Sequence, residues 1–219
     1  MTSRPKQPAP RPAPRLYLIT PQLADTSAFS SQLNVALGGG DVAAVLLRLA
    51  DADERTLINR TKTMSAPVQD KGSALLLDGR PELVARAGGD GAHLTGIAAF
   101  TGALEQLKPD RIAGAGGLAN RHDAMLAAER GADYVMFGEP DATGGRPAFA
   151  SIEERVAWWV ELFEIPCVGY AASINDIAPL VAAGVDFVAL GDFLWRDPNA
   201  IAEVMSEATR QLQLPEPAA

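Results

Sequence analysis

The sequence predicts an α/β protein with a single (β/α)8 barrel domain. The first observation is a regular alternation of eight short apolar strand patterns with eight helical patterns, which is typical of parallel strands covered by helices. The second is a repeated unit of glycine, acidic turn, apolar strand and closing glycine. Its clearest copies are Gly131–Gly138 and Gly184–Gly191, and Gly89–Gly96 is a looser one. An open doubly wound sheet is the alternative, but no G-x-G-x-x-G motif follows the first strand.

The repeated unit indicates where strands begin and where a ligand would bind. A glycine directly after a helical segment adopts the left-handed conformation that ends helices, and aspartate suits the turn that follows. Four consecutive apolar residues are typical of a parallel strand that is buried on both faces. The closing glycines, Gly138 and Gly191, lie at the carboxyl ends of their strands. Ligands bind at that end in α/β sheets and barrels, so we expect the functional residues there.

Composition excludes several classes of protein. The 219 residues, with 47% hydrophobic and 21% charged side chains, are enough for one α/β domain. The net charge is −8 and no basic stripe is present, so we expect neither nucleic acid nor a membrane as a partner. Cys167 is the only cysteine, which excludes an internal disulfide and a cysteine-based zinc site. Its apolar surroundings predict a buried core residue.

The sequence also predicts the cellular setting. No apolar run is long enough to span a bilayer, and the N-terminus lacks the apolar core of a signal peptide. We therefore expect a cytoplasmic protein. The sequence leaves a homo-oligomer open.

Residues 1–14 are predicted to be a disordered Pro-rich tail, and the barrel is predicted to span residues 15–214. Prolines recur at positions 5, 8, 10, 12 and 14, which prevents a helix and favours an extended chain. A Pro-rich docking ligand is the alternative role for this tail.

Eight apolar segments are predicted as strands. Pro21 stops the first strand, Arg48 stands at the end of the second, and Asp78 follows the third. The fifth strand has the weakest pattern. The predicted strands are Leu16–Thr20, Val42–Leu47, Ala74–Leu77, Ala92–Leu94, Arg111–Ala113, Tyr134–Phe137, Cys167–Gly169 and Phe187–Leu190.

The helices between the strands are predicted from apolar spacing and from end signals. A run of three glycines from Gly38 ends the first helix, and Pro81 suits the first position of the third. Asn120 is predicted to cap the fifth helix, and Ser151 with Glu154 matches a capping box for the sixth. The other predicted helices span about residues 52–64, 97–107, 175–183 and 198–212.

The segment Arg15–Pro21 reads Arg-Leu-Tyr-Leu-Ile-Thr-Pro. Together with Gly131–Val135 and Gly184–Asp186, it resembles the thiamine phosphate synthase/TenI family. The resemblance runs from about Arg15 to Leu212 in the same order and spacing, and it implies a (β/α)8 barrel. Synthase members join an aminopyrimidine pyrophosphate to a thiazole phosphate, with Mg²⁺ as cofactor. TenI members tautomerise the thiazole phosphate or have no settled role.

The resemblance implies a pyrophosphate and Mg²⁺ side after strands two to four. Only Arg48 remains of the family's Gln-x-Arg-x-Lys motif, and its guanidinium suits a pyrophosphate. The alternative for Arg48 is a salt bridge to Asp51 or Asp78. Asp78 lies one position from the family's first metal ligand, whereas the second metal aspartate aligns with Ala98. We therefore expect at most a weak Mg²⁺ site at Asp78.

Two further candidates follow strands four and five. The family's His-x-Gly-Gln motif begins here at His93, which is either catalytic or a hydrogen-bonded core residue. The segment that ends at Asn120 replaces the family's Ser-x-His, and the proton-transferring histidine of TenI members aligns with Ala119. The lack of a general base in register argues against tautomerase chemistry. The nearby His122 is expected to face solvent.

The loop after strand six keeps part of a family motif, Gly-Pro-x-x-Pro-Thr-x-x-Lys. Thr143 remains, and Arg146 stands in place of the lysine. Glu139 and Asp141 add negative charge where anions would enter. The pair Gly144–Gly145 resembles the hinge of a lid over the barrel mouth, and an ordinary surface loop is the alternative.

The resemblance implies a phosphate site after strands seven and eight, and this sequence departs from it. The family's Gly-x-Gly-Gly has Ala171 and Ala172 in its last two places, so Cβ atoms stand where backbone must touch phosphate. Ser173, at the start of the next helix, is a candidate for holding a weaker anion. Asp192 replaces a serine and either repels phosphate or caps the turn after Gly191. We expect the thiazole phosphate to bind poorly.

Two functions of different classes therefore remain. One is a divergent transferase that uses Arg48, Asp78, Thr143 and Arg146 on the pyrophosphate side. The other is a non-catalytic barrel that binds a small phosphorylated or heterocyclic ligand, or that acts as a structural or regulatory paralogue. Loss of the metal-ligand positions and the phosphate glycines favours an eroded active site, because electrostatic stabilisation is usually the largest catalytic contribution.

Overall fold

Eight parallel strands close into a barrel in the order β1 to β8, and β8 pairs with β1. This arrangement is seen in a computed structural model that describes residues 12–213, and it confirms the predicted (β/α)8 fold. Residues 12–14 precede β1 without regular structure. Most of the predicted Pro-rich tail, residues 1–11, lies outside the described residues, as do residues 214–219.

Strands and helices alternate throughout the described chain. The strands are β1 (Arg15–Ile19), β2 (Val42–Leu47), β3 (Ala74–Asp78), β4 (Gly91–Thr95), β5 (Ile112–Gly116), β6 (Tyr134–Phe137), β7 (Cys167–Ala171) and β8 (Phe187–Leu190). The helices are α1 (Thr26–Gly38), α2 (Glu54–Gln69), α3 (Pro81–Ala87), α4 (Ile97–Leu107), α5 (Arg121–Glu129), α6 (Phe149–Leu162), α7 (Ile177–Ala182) and α8 (Ile201–Leu212). Two short 3-10 helices, Ile174–Asp176 and Asp192–Trp195, follow β7 and β8.

The capping box predicted for Ser151 and Glu154 is wrong. Helix α6 begins at Phe149, and the Ser151 backbone N–H donates to the Ala148 carbonyl oxygen at 2.9 Å inside the first turn. Glu154 instead accepts a hydrogen bond from Arg121 of α5 at 3.0 Å. Phe149 packs against the core, and this tertiary contact accounts for the earlier start of the helix.

Several other boundaries differ from the prediction, and three of them illustrate how packing extends or shortens the local pattern. Strand β5 continues to Gly116, since its small residues pair along the whole of β4. Helix α2 continues through Pro67, because Val68 on its buried face is fully enclosed by the core. Helix α8 begins at Ile201, after the 3-10 helix and a turn.

The repeated glycine–aspartate unit stabilises the N-terminal end of the barrel. Gly131 and Gly184 have φ angles of 91° and 90°, the left-handed conformation expected at these helix ends. The carboxylate of Asp133 accepts the backbone N–H of Ala113 in β5 at 2.7 Å. Asp186 accepts the first N–H of β7 at 2.8 Å. Each aspartate therefore satisfies a backbone donor near the start of a neighbouring strand.

Inside the barrel, the ring side chains of Tyr17, Tyr134 and His93 form a hydrogen-bonded series among apolar residues. The Tyr134 hydroxyl lies 2.9 Å from the Tyr17 hydroxyl and 3.0 Å from Nδ1 of His93. Gly114 makes room for this arrangement, because a Cβ atom there would collide with the Tyr134 ring. Burial raises the pKa of both tyrosines well above the usual value, so both hydroxyls stay protonated. Tyr17 and Tyr134 line a cavity with Arg15 and Asp133 at the amino ends of the strands, and the hydrogen bonds lead from there to His93.

Two further observations concern the core and the helices. Cys167 is fully buried in β7, as its apolar surroundings predict. None of the helices between residues 12 and 213 is long and apolar enough to cross a membrane.

Candidate functional site

The residues predicted for the site lie in strands or in the segments that follow them, towards the carboxyl end of the barrel. They fall into three groups. Arg48, Asp78 and His93 line one central cavity of about 80 Å³, together with Glu139 and Tyr170. The rest of the cavity wall is formed by Ile19, Leu46, Thr95, Met136 and Pro140.

Arg48 is held in place by the protein itself. Its Nη2 lies 2.8 Å from the Asp192 carboxylate, and its Nε donates to the Thr20 carbonyl oxygen at 2.7 Å. The salt bridge foreseen as the alternative for Arg48 is therefore present, but with a different partner. Asp51, one of the predicted partners, instead pairs with Arg80 at 2.5 Å. Arg48 and Asp192 therefore form an ion pair with each other.

His93 connects the tyrosine chain to an acidic side chain. It is only 2% exposed, and its Nε2 lies 3.6 Å from Oε2 of Glu139, just beyond hydrogen-bond distance. Burial alone would lower the pKa of His93, but the negative charges of Glu139 and Asp78 outweigh it and raise the pKa above the usual value. His93 is therefore a hydrogen-bonded core residue that also faces the cavity.

The Glu139 carboxylate lies in the space that a side chain at position Gly116 would fill. A Cβ atom at Gly116 would collide with the Glu139 carboxylate and would lie 2.5 Å from Nε2 of His93. Both carboxylate oxygens are buried and have no hydrogen-bond partner among the described residues. The small residue in β5 therefore allows an acid from the end of β6 to reach the histidine in β4.

The residues present do not fit the Mg²⁺ site that the resemblance implies. Burial raises the pKa of Asp78, and the Glu139 carboxylate adds to this, although His93 and Arg48 oppose it. Between residues 12 and 213, no three histidine, cysteine or acidic side chains are placed to hold a metal ion. Ala98, at the second ligand position of the family, has no oxygen to offer.

The second group surrounds Asp176. Its Oδ2 accepts the backbone N–H of Ala172 at 2.8 Å, and its Oδ1 accepts the Ser173 hydroxyl at 2.9 Å. The Arg146 guanidinium lies 3.9 Å from the same carboxylate. An amide N–H, a hydroxyl and a guanidinium around one anion form a typical anion site. Here a carboxylate of the same chain is the anion.

Arg146 is also fixed by backbone contacts. It donates to the carbonyl oxygens of Gly138 at 2.7 Å and Tyr170 at 3.0 Å. Its guanidinium carbon lies 4.9 Å from the centre of the Tyr170 ring, a cation–π distance. Arg146 therefore links the segment after β6 to β7, and two of its N–H groups donate to backbone carbonyl oxygens.

The third group, Asn120 and Thr143, stays outside the cavities. Asn120 is exposed and caps α5, as predicted, by accepting the Asp123 N–H at 2.9 Å. The Thr143 hydroxyl donates to Asp141 at 2.6 Å, within a compact exposed turn. This turn borders a second cavity of about 520 Å³, which shares Glu139 with the central one. His122 is exposed, as expected.

Comparison with known proteins identifies the family. A family model described as thiamine monophosphate synthase matches residues 16–193. The chain belongs to the thiamine monophosphate synthase family. A thiamine-phosphate synthase of Rhodospirillum centenum is 38% identical over 91% of this chain and 98% of its own length. One of Hyphomonas neptunium is 39% identical over 88% of this chain and 91% of its own length.

Solved structures agree with this fold. A thiamine phosphate pyrophosphorylase from Pyrococcus furiosus has a TM-score of 0.73, with 20% identity over 91% of this chain and 95% of that chain. A geranylgeranylglyceryl phosphate synthase from Thermoplasma acidophilum has a TM-score of 0.66 with 13% identity, covering 91% of this chain and 94% of that chain. At these identities the likeness concerns the barrel alone.

The sequence-based candidates do not include four residues that the structure connects to them, namely Tyr17, Tyr134, Asp176 and Glu139. Tyr17 and Tyr134 sit in strands whose alternation points every second side chain inward, and this alternation was the available signal. Asp176 follows Ser173 at the three-residue spacing typical of helix-start motifs. Glu139 was recognised as added charge, but its contact with His93 depends on the pairing of distant strands.

Proposed function

We propose that this chain is a family member whose anion positions are occupied by its own carboxylates, so that the coupling reaction is weak or absent. In this proposal the barrel mouth binds a small ligand rather than joining two phosphorylated substrates. The observation that carries the proposal is the Asp176 carboxylate, which accepts both the Ala172 N–H and the Ser173 hydroxyl. These donors follow β7, where the family grips the thiazole phosphate.

Asp176 and a phosphate would compete for the same donors. At about 4 Å and an effective dielectric constant of about 20, two like unit charges repel by roughly 4 kcal/mol. Relaxation of the half-buried segment that holds Asp176 reduces this figure. The sequence alone assigned the repulsion to Asp192, whereas Asp192 is compensated by Arg48 at 2.8 Å. Asp176 is the better-supported source, because it holds the phosphate donors directly.

Arg48 and Asp78, the residues expected to bind the pyrophosphate and its metal ion, support the same proposal. The Arg48 guanidinium is shared between Asp192 and the Thr20 carbonyl oxygen. Asp78 shares the cavity wall with Glu139 and His93, but no three histidine, cysteine or acidic side chains of residues 12–213 are placed to hold a metal ion together. A transferase of this family needs positive charge or Mg²⁺ to stabilise the departing pyrophosphate. Arg48 offers its positive charge only in a pair with Asp192, and Arg155, which lines the 520 Å³ cavity, donates to the Leu118 carbonyl oxygen.

A working synthase is the second candidate function, and two observations favour it. Relatives at 38% and 39% identity are named thiamine-phosphate synthases. The Asp192 side chain is 62% exposed, so its ion pair with Arg48 can open at little cost, since exposed pairs contribute about 0–1 kcal/mol. Arg48 would then become available to a pyrophosphate.

Calorimetric titration with the thiazole phosphate tests the proposal. The wild type is expected to show no saturable binding in the micromolar range. Asp176→Ser frees the Ala172 N–H and removes the charge, so it is expected to gain binding. Asp110→Ser, which removes an exposed acid near the start of β5, is the control and should behave like the wild type. Micromolar binding by the wild type that is unchanged in Asp176→Ser would refute the proposal.

A further inference from the structure

The Glu139 carboxylate is the starting point for an inference about the ligand. The side chain is 12% exposed, and neither carboxylate oxygen has a hydrogen-bond partner among the residues 12–213. A buried carboxylate without a partner is costly, and native proteins resolve such groups with an ion, a ligand or water. His93, at 3.6 Å, is too far away to satisfy both oxygens.

Glu139 lies at the boundary of two cavities. It belongs to the walls of both the 80 Å³ cavity and the 520 Å³ cavity, together with Thr95, Met136 and Pro140. Water does not touch its two oxygens in the present conformation. A rotation of the side chain away from Gly116 would turn both oxygens towards the cavities, and no hydrogen bond would break.

The charges around the cavity favour a cation. Arg48 and Asp192 neutralise each other at 2.8 Å. The other acidic and basic side chains in the wall of the 80 Å³ cavity are Asp78 and Glu139 against His93, two acids to one base, whereas Arg146 and Arg155 line the larger cavity. A phosphate would be repelled by this field, whereas a cation would be attracted.

The walls and the two unpaired oxygens favour a planar cation. Ile19, Leu46, Met136 and Pro140 supply apolar contact around the acids. A carboxylate with two unpaired oxygens best accepts two parallel N–H groups, which is the geometry of an amidinium or guanidinium ion. The protein already stacks a guanidinium of its own, that of Arg146, on the neighbouring Tyr170 ring at 4.9 Å.

We infer that the cavity at Glu139 binds a small planar cation of the amidinium or guanidinium type that carries no phosphate. This inference rests on the proposed function, because it assigns a ligand class to the same barrel mouth. The inference and the proposed function make different requirements of the barrel mouth. The proposed function requires that phosphates be excluded at Asp176, and the inference requires that a cation be accepted at Glu139.

Titration by NMR with acetamidinium chloride tests the inference, with acetamide as the neutral counterpart and sodium chloride at equal ionic strength. The wild type is expected to bind acetamidinium with millimolar affinity and to bind acetamide far more weakly. Glu139→Gln keeps the shape but removes the charge, so its affinity should fall at least about tenfold, or 1.4 kcal/mol. Glu105→Gln, which neutralises an exposed acid on α4, is the control and should match the wild type.

Three results would overturn the inference. These are equal affinity in Glu139→Gln, equal binding of acetamide, or no saturable binding by the wild type. Asp78→Asn supplies a second variant and is expected to weaken acetamidinium binding as well, since it also reduces the negative charge. If acetamidinium does not bind, the exclusion of the thiazole phosphate at Asp176 still stands. If the wild type binds the thiazole phosphate, the result of the acetamidinium titration still stands.

Discussion

Replacing Tyr134 with phenylalanine tests the hydrogen-bonded chain inside the barrel. The Tyr134 hydroxyl has two buried partners, the Tyr17 hydroxyl at 2.9 Å and Nδ1 of His93 at 3.0 Å. Tyr134→Phe leaves both partners buried without this bond. Each such loss costs about 1–3 kcal/mol, so we expect the free energy of unfolding to fall by about 2–6 kcal/mol for the two partners together. Urea denaturation followed by circular dichroism measures the change.

Tyr17→Phe is the matched control for this prediction. It also removes one tyrosine hydroxyl group, but it leaves the hydrogen bond between Tyr134 and His93. The free energy of unfolding is therefore expected to fall by only about 1 kcal/mol. The double variant should cost less than the sum of the two single variants, because Tyr17 no longer has a hydroxyl to leave unpaired. Equal losses in the two single variants, or strict additivity in the double variant, would refute the shared role of Tyr134.

Two further predictions concern the N-terminal rim and the cavity. Asp186→Ala removes the acceptor of the Cys167 N–H and should lower the free energy of unfolding by about 1–2 kcal/mol. Asp186→Asn keeps an acceptor oxygen, so its free energy of unfolding should fall by less in the same denaturation assay. His93 has a raised pKa in the folded state, so its contribution to stability is fully present below the usual pKa of about 6.5 and is lost as the pH rises through the folded pKa. Denaturation between acidic and mildly alkaline pH should show this loss in the wild type, and a His93→Gln variant with the same slope would contradict it.

The fold was predictable because its signals are local. The apolar segments of β6 and β8 match the predicted strands residue for residue, since each is bounded by a turn aspartate and a glycine. The wrong start of α6 shows the limit of local signals. Ser151 matches a helix cap in sequence, but the packing of Phe149 against the core starts the helix earlier. Tertiary contacts decided this boundary, and they are absent from a short sequence window.

The site was predictable only in its location. The candidates lie towards the carboxyl end of the barrel because the strand alternation determines that end. Their partners were not predictable, since Arg48 and Asp192 are 144 positions apart in the chain and meet only when β8 closes on β1. The contact of Glu139 with His93 likewise depends on the space at Gly116. Such contacts depend on strand register and on small residues in the neighbouring strands.

The coupling reaction itself tests the central claim most directly. The wild type would be incubated with the aminopyrimidine pyrophosphate, the thiazole phosphate and Mg²⁺, and the formation of thiamine phosphate would be followed by chromatography. If Asp176 and Asp192 occupy the anion positions, product should form far more slowly than the turnover of about 1 s⁻¹ or more that is typical of enzymes, or not at all. Product formation at that typical rate, which rises in proportion to protein concentration and is abolished in Arg48→Ala, would contradict the account.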